Sequence, residues 1–260
     1  MSLDFPFAFN AIKLIAMMAR LGGFMFAFPV LNTESFPVKH RIFFLLVVSV
    51  LLMPATPPEW GAALAQTQLD MFGLALMMCV EVLLGLTVAL IVTLFFDVFE
   101  LVGYQFGDLM GFTMAEVIDP SSGQTNNVVT ILLVQMFIII FLVCDFHHDF
   151  LRLAAMSFST VGPGAFVLNP EMGGSIISLV VEVYRMGFQL ALPVFALNML
   201  LNICLALISK VGEEFPVLLL SFPIKIGVGL LLIMGMLPIC IYYSRLVGEM
   251  MVEWIRMLIV

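Results

Sequence analysis

Long apolar runs separated by short polar ones dominate this chain, near residues 12–31, 42–53, 71–102, 128–146, 176–208 and 216–243. Several exceed the roughly 20 residues with which an α-helix crosses a bilayer. In hydrocarbon every backbone N–H and C=O group must find its partner within the protein, and a single continuous run does so as a helix. The pattern predicts an all-α membrane protein with about six hydrophobic segments. Composition agrees, with 63% hydrophobic and 11% charged residues, against about 45–50% and about 25% in soluble domains. No polar stretch is long enough to fold apart from these runs, so residues 1–260 are read as one membrane-embedded domain. The second run ends at Met53-Pro54-Ala55-Thr56-Pro57-Pro58 and is short for a span, which predicts re-entrant or packed-in helices.

The net charge of −8 argues against nucleic acid, which selects clustered Lys and Arg, and against a polybasic lipid-binding tail. Cys79, Cys144, Cys204 and Cys240 each stand alone among apolar neighbours and read as small buried hydrophobes. The start, Met1-Ser2-Leu3-Asp4, lacks the basic residues of a secretory signal, so the first apolar run is expected to be retained.

Ionisable residues inside the runs are Lys13, Arg20, Glu81, Asp97, Glu100, Glu182, Arg185 and Lys225. Each must pair or face a cavity. Glu182 and Arg185, three apart, share a helix face and are placed to neutralise one another. Asp145-Phe146-His147-His148-Asp149 is the cluster that most resembles a metal site. Adjacent histidines on a helix diverge by about 100°, however, and the expectation is a polar turn without metal. Asp97 with Asp108, or Ser122-Gly123, is a weak basis for intramembrane proteolysis, and P-loop, His-Glu-x-x-His and dinucleotide-binding signatures are missing. The chain is expected to have no catalytic residues, no metal and no cofactor.

One stretch departs from the apolar pattern. Gly103-Tyr104-Gln105-Phe106-Gly107-Asp108-Leu109-Met110-Gly111-Phe112-Thr113-Met114, running on to Asp119-Pro120 and Asn126-Asn127, is polar, glycine-rich and expected to break the helix. Irregular backbone at membrane depth is tolerated where protein or a water-filled cavity satisfies it, which marks this stretch as the functional core. Met110, Phe112 and Met114 are deformable apolar groups suited to closing a pore yet yielding to a passing chain. A second break at 210–216 gives both halves an interrupted helix, which leaves a small secondary transporter as the rival reading.

The ordered set Arg20, Pro29-Val30, Pro37, Arg41, Gly103, Gln105, Gly107, Gly111-Phe112 and Asp119-Pro120 continues with Ser157-Phe158, Pro163-Gly164 and Ala191-Leu192-Pro193. It ends with Asn198, Asn202, Ser221-Phe222-Pro223-Ile224-Lys225, Gly227 and Gly229. Nearly the whole chain thereby resembles the FliR family of flagellar type III export-gate proteins and its injectisome counterparts. It departs from the usual pattern at Lys210 and Ser221, at the residue before the histidine near His147, and in the acidic loop 210–216.

The resemblance implies a non-enzymatic subunit of a helical export gate in the bacterial inner (cell) membrane, at the flagellar basal body. It implies kinked helical hairpins, with an N-terminal part similar to FliP and a C-terminal part similar to FliQ. The partners implied are FliP-like and FliQ-like subunits, FlhB-like and FlhA-like components, and unfolded flagellar proteins in transit. The implied pore plug comprises Gly103, Gln105, Gly107, Met110, Gly111, Phe112, Met114, Asp119 and Pro120. Arg20, Arg185, Lys210, Pro223 and Lys225 are the candidate subunit contacts. An injectisome gate subunit is the alternative within the same resemblance.

Overall fold

The structure, a computed structural model, describes residues 4–26, 37–58, 60, 71–112, 127–167, 170–211 and 217–259. Among them there are seven α-helices and no strand: α1 (Asp4–Phe26), α2 (Val38–Leu52), α3 (Met71–Met110), α4 (Val128–Val143), α5 (Phe146–Thr160), α6 (Pro170–Val211) and α7 (Val217–Ile259). A 3-10 turn, Met53–Ala55, follows α2. Four segments are long and apolar enough to cross a membrane, Val38–Ala55, Met71–Met110, Met172–Lys210 and Ser221–Ile259, or five if α4 and α5 form one broken span. The protein is therefore all-α with several candidate spans, as its apolar runs predict.

The boundaries differ from the runs for physical reasons. The segment 128–146, expected as one helix, ends at Val143 because Asp145 takes a left-handed conformation, φ 60°. The residues beyond form α5, whose Phe146, Phe150, Leu153, Ala154, Ser157 and Phe158 are buried. That spacing of three and four builds one apolar stripe, while Asp149 and Arg152 keep the average polarity too high for an apolar run. The last helix reaches Ile259 for the same reason, since Ser244, Val247, Met251, Ile255 and Ile259 recur on one buried face. Pro193 in α6, and Pro223 and Pro238 in α7, each remove a helical hydrogen bond, the ordinary cause of a kink.

The chain divides into two compact units. The first comprises Met1–Leu94, Asp145–Ile177 and Gly248–Val260, the second Phe95–Cys144 and Ser178–Val247. In the first, α1 and α3 meet at paired glycines: a Cβ on Gly23 would stand 2.6 Å from the Gly85 backbone. Small residues matter here because lipid supplies no hydrophobic drive for helix association, which leaves close packing to hold the helices. Phe24 meets Phe150 edge-on at 5.4 Å between ring centroids, and Trp60 meets Phe158 in the same way at 5.5 Å. In the second unit the core is aromatic: Phe99 stacks on Phe137 at 4.1 Å, and Phe96 abuts the same ring at 4.6 Å.

Candidate functional site at the end of the third helix

In the second unit the glycine-rich stretch does not begin as a break. Helix α3 continues through Gly103, Gln105 and Gly107 to Met110, so the expectation of irregular backbone from Gly103 onward is corrected. These glycines are contact points. A Cβ on Gly103 would lie 2.5 Å from the Thr130 Cα, and one on Gly107 would overlap the Asn127 side chain. Glycine therefore permits α3 to approach the N-terminus of α4 at backbone distance. Asn127 caps α4, its Oδ1 accepting from Thr130 N at 2.9 Å and from Thr130 Oγ1 at 3.0 Å. Its buried Nδ2 has no partner among the described residues.

The helix ends at Met110. Gly111 is left-handed, φ 84°, and its N–H donates to Asp108 O at 3.0 Å, closing the last turn. An L side chain in that conformation costs about 1–2 kcal/mol. Three neighbours hold this end. Asn198 Nδ2 on α6 donates to Asp108 Oδ2 at 2.6 Å, and Asn202 Nδ2 donates to Asn198 Oδ1 at 3.2 Å. Met110 lies on Gly229 of α7, where a Cβ would come within 2.6 Å of its Cγ. The Phe222 ring stands 3.2 Å from where a Gly111 Cβ would be. Gln105 and Phe112 are half-buried, whereas Gly103, Gly107, Met110 and Gly111 are buried. Met114, Asp119 and Pro120 lie outside the described residues.

The first unit holds a second polar constellation. Arg20 is fully buried, and its Nε meets Glu81 Oε2 at 2.5 Å. Its Nη1 donates to Ser157 O at 2.5 Å and its Nη2 to Val161 O at 3.1 Å. Glu81 Oε1 accepts from Gly164 N at 2.8 Å. The guanidinium lies 5.0 Å from the Trp60 ring and 4.9 Å from Phe158. Arg20, one of the candidate subunit contacts, is buried in this chain and has its hydrogen-bond partners within it. The sequence required intramembrane charges to pair, but nothing local linked Arg20 to Glu81. The motif pieces Ser157-Phe158 and Pro163-Gly164 supply a carbonyl, a ring and an amide to this pair.

Of the other candidate contacts, Lys210 and Pro223 are exposed and Lys225 is half-buried. Arg185 is exposed, with its Nη1 3.4 Å from Glu182 Oε2, the local pair that the spacing predicts. Asp145, His147 and His148 each bring one ligand atom within 4.8 Å of the others. The two histidine rings face one another at 4.1 Å rather than diverging, so this is a group with the donor chemistry to hold a cation. His148 Nδ1 lies 3.2 Å from Asp145 Oδ1.

Comparison with known proteins places these features in a family. The family described as "Bacterial export proteins, family 1" matches residues 11–250. Relatives named "Flagellar biosynthetic protein FliR" include one from Pectobacterium carotovorum subsp. carotovorum, 26% identical over 81% of this chain and 78% of its own length. One from Caulobacter vibrioides is 21% identical over 88% and 90%. Another from Bacillus subtilis is 23% identical over 92% of each. A match that runs from the middle of α1 into the last turns of α7 takes in both constellations, and the chain belongs to the bacterial export proteins of family 1, the FliR family.

Proposed function

We propose that this chain is a subunit of the flagellar type III protein export gate in the bacterial inner membrane, and that it forms part of the export channel and supplies its closing plug. Family membership and the flagellar names of the relatives support the coarser part, a membrane component of the flagellar export apparatus. They also favour the flagellar over the injectisome branch. The finer part rests on one observation. The end of α3 is anchored by Asp108–Asn198 and by glycine contacts, then turns at Gly111 in a conformation suited to glycine.

In this reading α3 is a fixed post and Gly111 is the pivot of a segment that begins with Phe112. Gly103, Gln105, Gly107 and Met110 belong to the post rather than to the moving part. Phe112 and Met114 supply deformable apolar groups that seal around nothing or around an unfolded chain. Asp119 and Pro120 complete the proposed plug in sequence, and Pro disfavours helix at the residue before it. Transport is passive at this subunit, with no catalysis and with energy supplied elsewhere in the apparatus.

The N-terminal part is FliP-like and the C-terminal part FliQ-like, and the chain assembles with subunits of those kinds and with FlhB-like and FlhA-like components. Arg185, Lys210, Pro223 and Lys225 are the contacts available to them. Affinity purification of the tagged full chain from native membranes in mild detergent, followed by mass spectrometry, tests the assignment. FliP-like and FliQ-like proteins should accompany it. A lone homo-oligomer would contradict it and return the secondary-transporter reading.

A further inference from the structure

In the first unit, α5 opens on Asp145, Phe146, His147, His148 and Asp149. Its start is anchored from the inside. Phe146 and Phe150, one turn apart, are both buried, the first ring against Gly248 and the second against Phe24. Between these anchors the polar side chains are carried on a rigid element, the kind of support that a binding site needs. The side chains of Asp145 and His148 are 71% and 59% exposed, and His147 is half-buried.

A polar turn accounts for part of this group, since His148 Nδ1 lies 3.2 Å from Asp145 Oδ1. It does not account for His147. Successive helical side chains diverge by about 100°, yet the His147 ring turns onto that of His148, with centroids 4.1 Å apart and planes 36° apart. Its Nδ1 is shut off from solvent and has no hydrogen-bond partner among the described residues, a desolvation cost that a ligand would relieve. One donor atom from each of Asp145, His147 and His148 lies within 4.8 Å of the other two. Zinc bonds of about 2.0–2.1 Å set tetrahedral ligand atoms about 3.3 Å apart, so the group has at most about 1.5 Å to close. Charge favours a cation here as well. Arg152 is taken up by Asp149 at 3.2 Å, while the partner of Asp145 is His148, and the two carboxylates offset the positive end of the α5 dipole.

We propose that Asp145, His147 and His148 form a binding site for a divalent first-row transition-metal ion such as Zn2+, which fastens the left-handed Asp145 to the first turn of α5. The donor set selects the class of ion. Two imidazoles and one carboxylate suit zinc and its neighbours, whereas calcium and magnesium require several oxygen ligands, of which this group offers only the Asp145 carboxylate. Three protein ligands leave a further position for water.

The test uses the full-length protein in detergent, without a histidine tag and stripped of metal with EDTA, titrated with Zn2+ in competition with a chromophoric chelator. One ion should bind per chain in the micromolar range and raise the unfolding temperature, and millimolar Mg2+ or Ca2+ should not displace it. His147→Gln and His148→Gln should each weaken binding at least about tenfold and abolish the thermal shift. His40→Gln, which removes the remaining histidine of the chain, should change neither. Asp145→Asn tolerates the left-handed conformation and should also weaken binding, so it carries the test if a histidine variant fails to fold. Unfolding temperatures in EDTA equal to that of the parent chain identify the folded variants. Absence of saturable Zn2+ binding, or binding that the folded variants at 145, 147 and 148 leave intact, overturns the proposal. So does equal affinity for Mg2+.

Discussion

Arg20 and Glu81, 61 residues apart in sequence, meet at 2.5 Å with 0% and 1% of their side chains exposed. Neither charge has access to water, so the backbone carbonyls of Ser157 and Val161 and the amide of Gly164 complete their hydrogen bonding. A buried pair of this kind is not necessarily a source of net stability, because desolvation offsets the attraction. It does tie α1 to α3 and to the end of α5 through directional hydrogen bonds.

Removing one partner leaves the other charge buried alone. Arg20→Met or Glu81→Leu is expected to lower stability by about 3–5 kcal/mol, and the double variant by much less than the sum. Thermal unfolding of the detergent-solubilised protein measures both. Strict additivity of the two losses would show that the pair is not coupled.

The glycines divide by what a methyl group would meet. Gly103→Ala and Gly85→Ala drive a Cβ into neighbouring backbone and are expected to destabilise by about 1–3 kcal/mol. Gly173 and Gly227 have nothing within 4 Å, and alanine there should stabilise by roughly 0.5–1 kcal/mol through helix propensity. Opposite signs in a single unfolding assay are the expected outcome.

Gly111 is a conformational requirement rather than a packing one alone. Gly111→Val combines a left-handed β-branched residue with the nearby Phe222 ring, and export-dependent motility is expected to fall sharply. Gly111→Asn, which tolerates positive φ better, should retain more motility than Gly111→Val at equal protein level. Equal motility in the two would remove the conformational argument.

The amide–carboxylate pair at the root of the segment permits a swap. Asn198→Asp sets two carboxylates against each other, and Asn198→Leu leaves Asp108 without this donor; each is expected to cost about 1–3 kcal/mol. Asp108→Asn combined with Asn198→Asp restores an amide facing a carboxylate and should recover most of the loss. Failure of the double variant to improve on Asn198→Asp would show that Asp108 is not its functional partner.

Much of the fold was legible in the apolar runs, because a helix in hydrocarbon must be both apolar and long. What escaped was amphipathic: α5, with Asp149 and Arg152 on its open face, and the last four turns of α7. The candidate site was legible in place but not in form. Gly103, Gly107 and Gly111 look alike in sequence, yet the first two are helical contact points and only the third has positive φ. Which role a glycine plays depends on what faces it, here Thr130 and Asn127, and that is set by tertiary packing. Arg20 and Glu81 were each visible as charges in need of a partner, while their pairing across 61 residues was not.

The central claim is that the segment after Gly111 closes a channel. Deleting residues 113–120 while leaving α3 and Gly111 in place, and measuring small-ion permeability of cells that carry the assembled apparatus, tests it most directly. The account predicts a leak in the deletion strain, with FliP-like and FliQ-like proteins still recovered alongside the tagged chain. Unchanged permeability with assembly intact would contradict it.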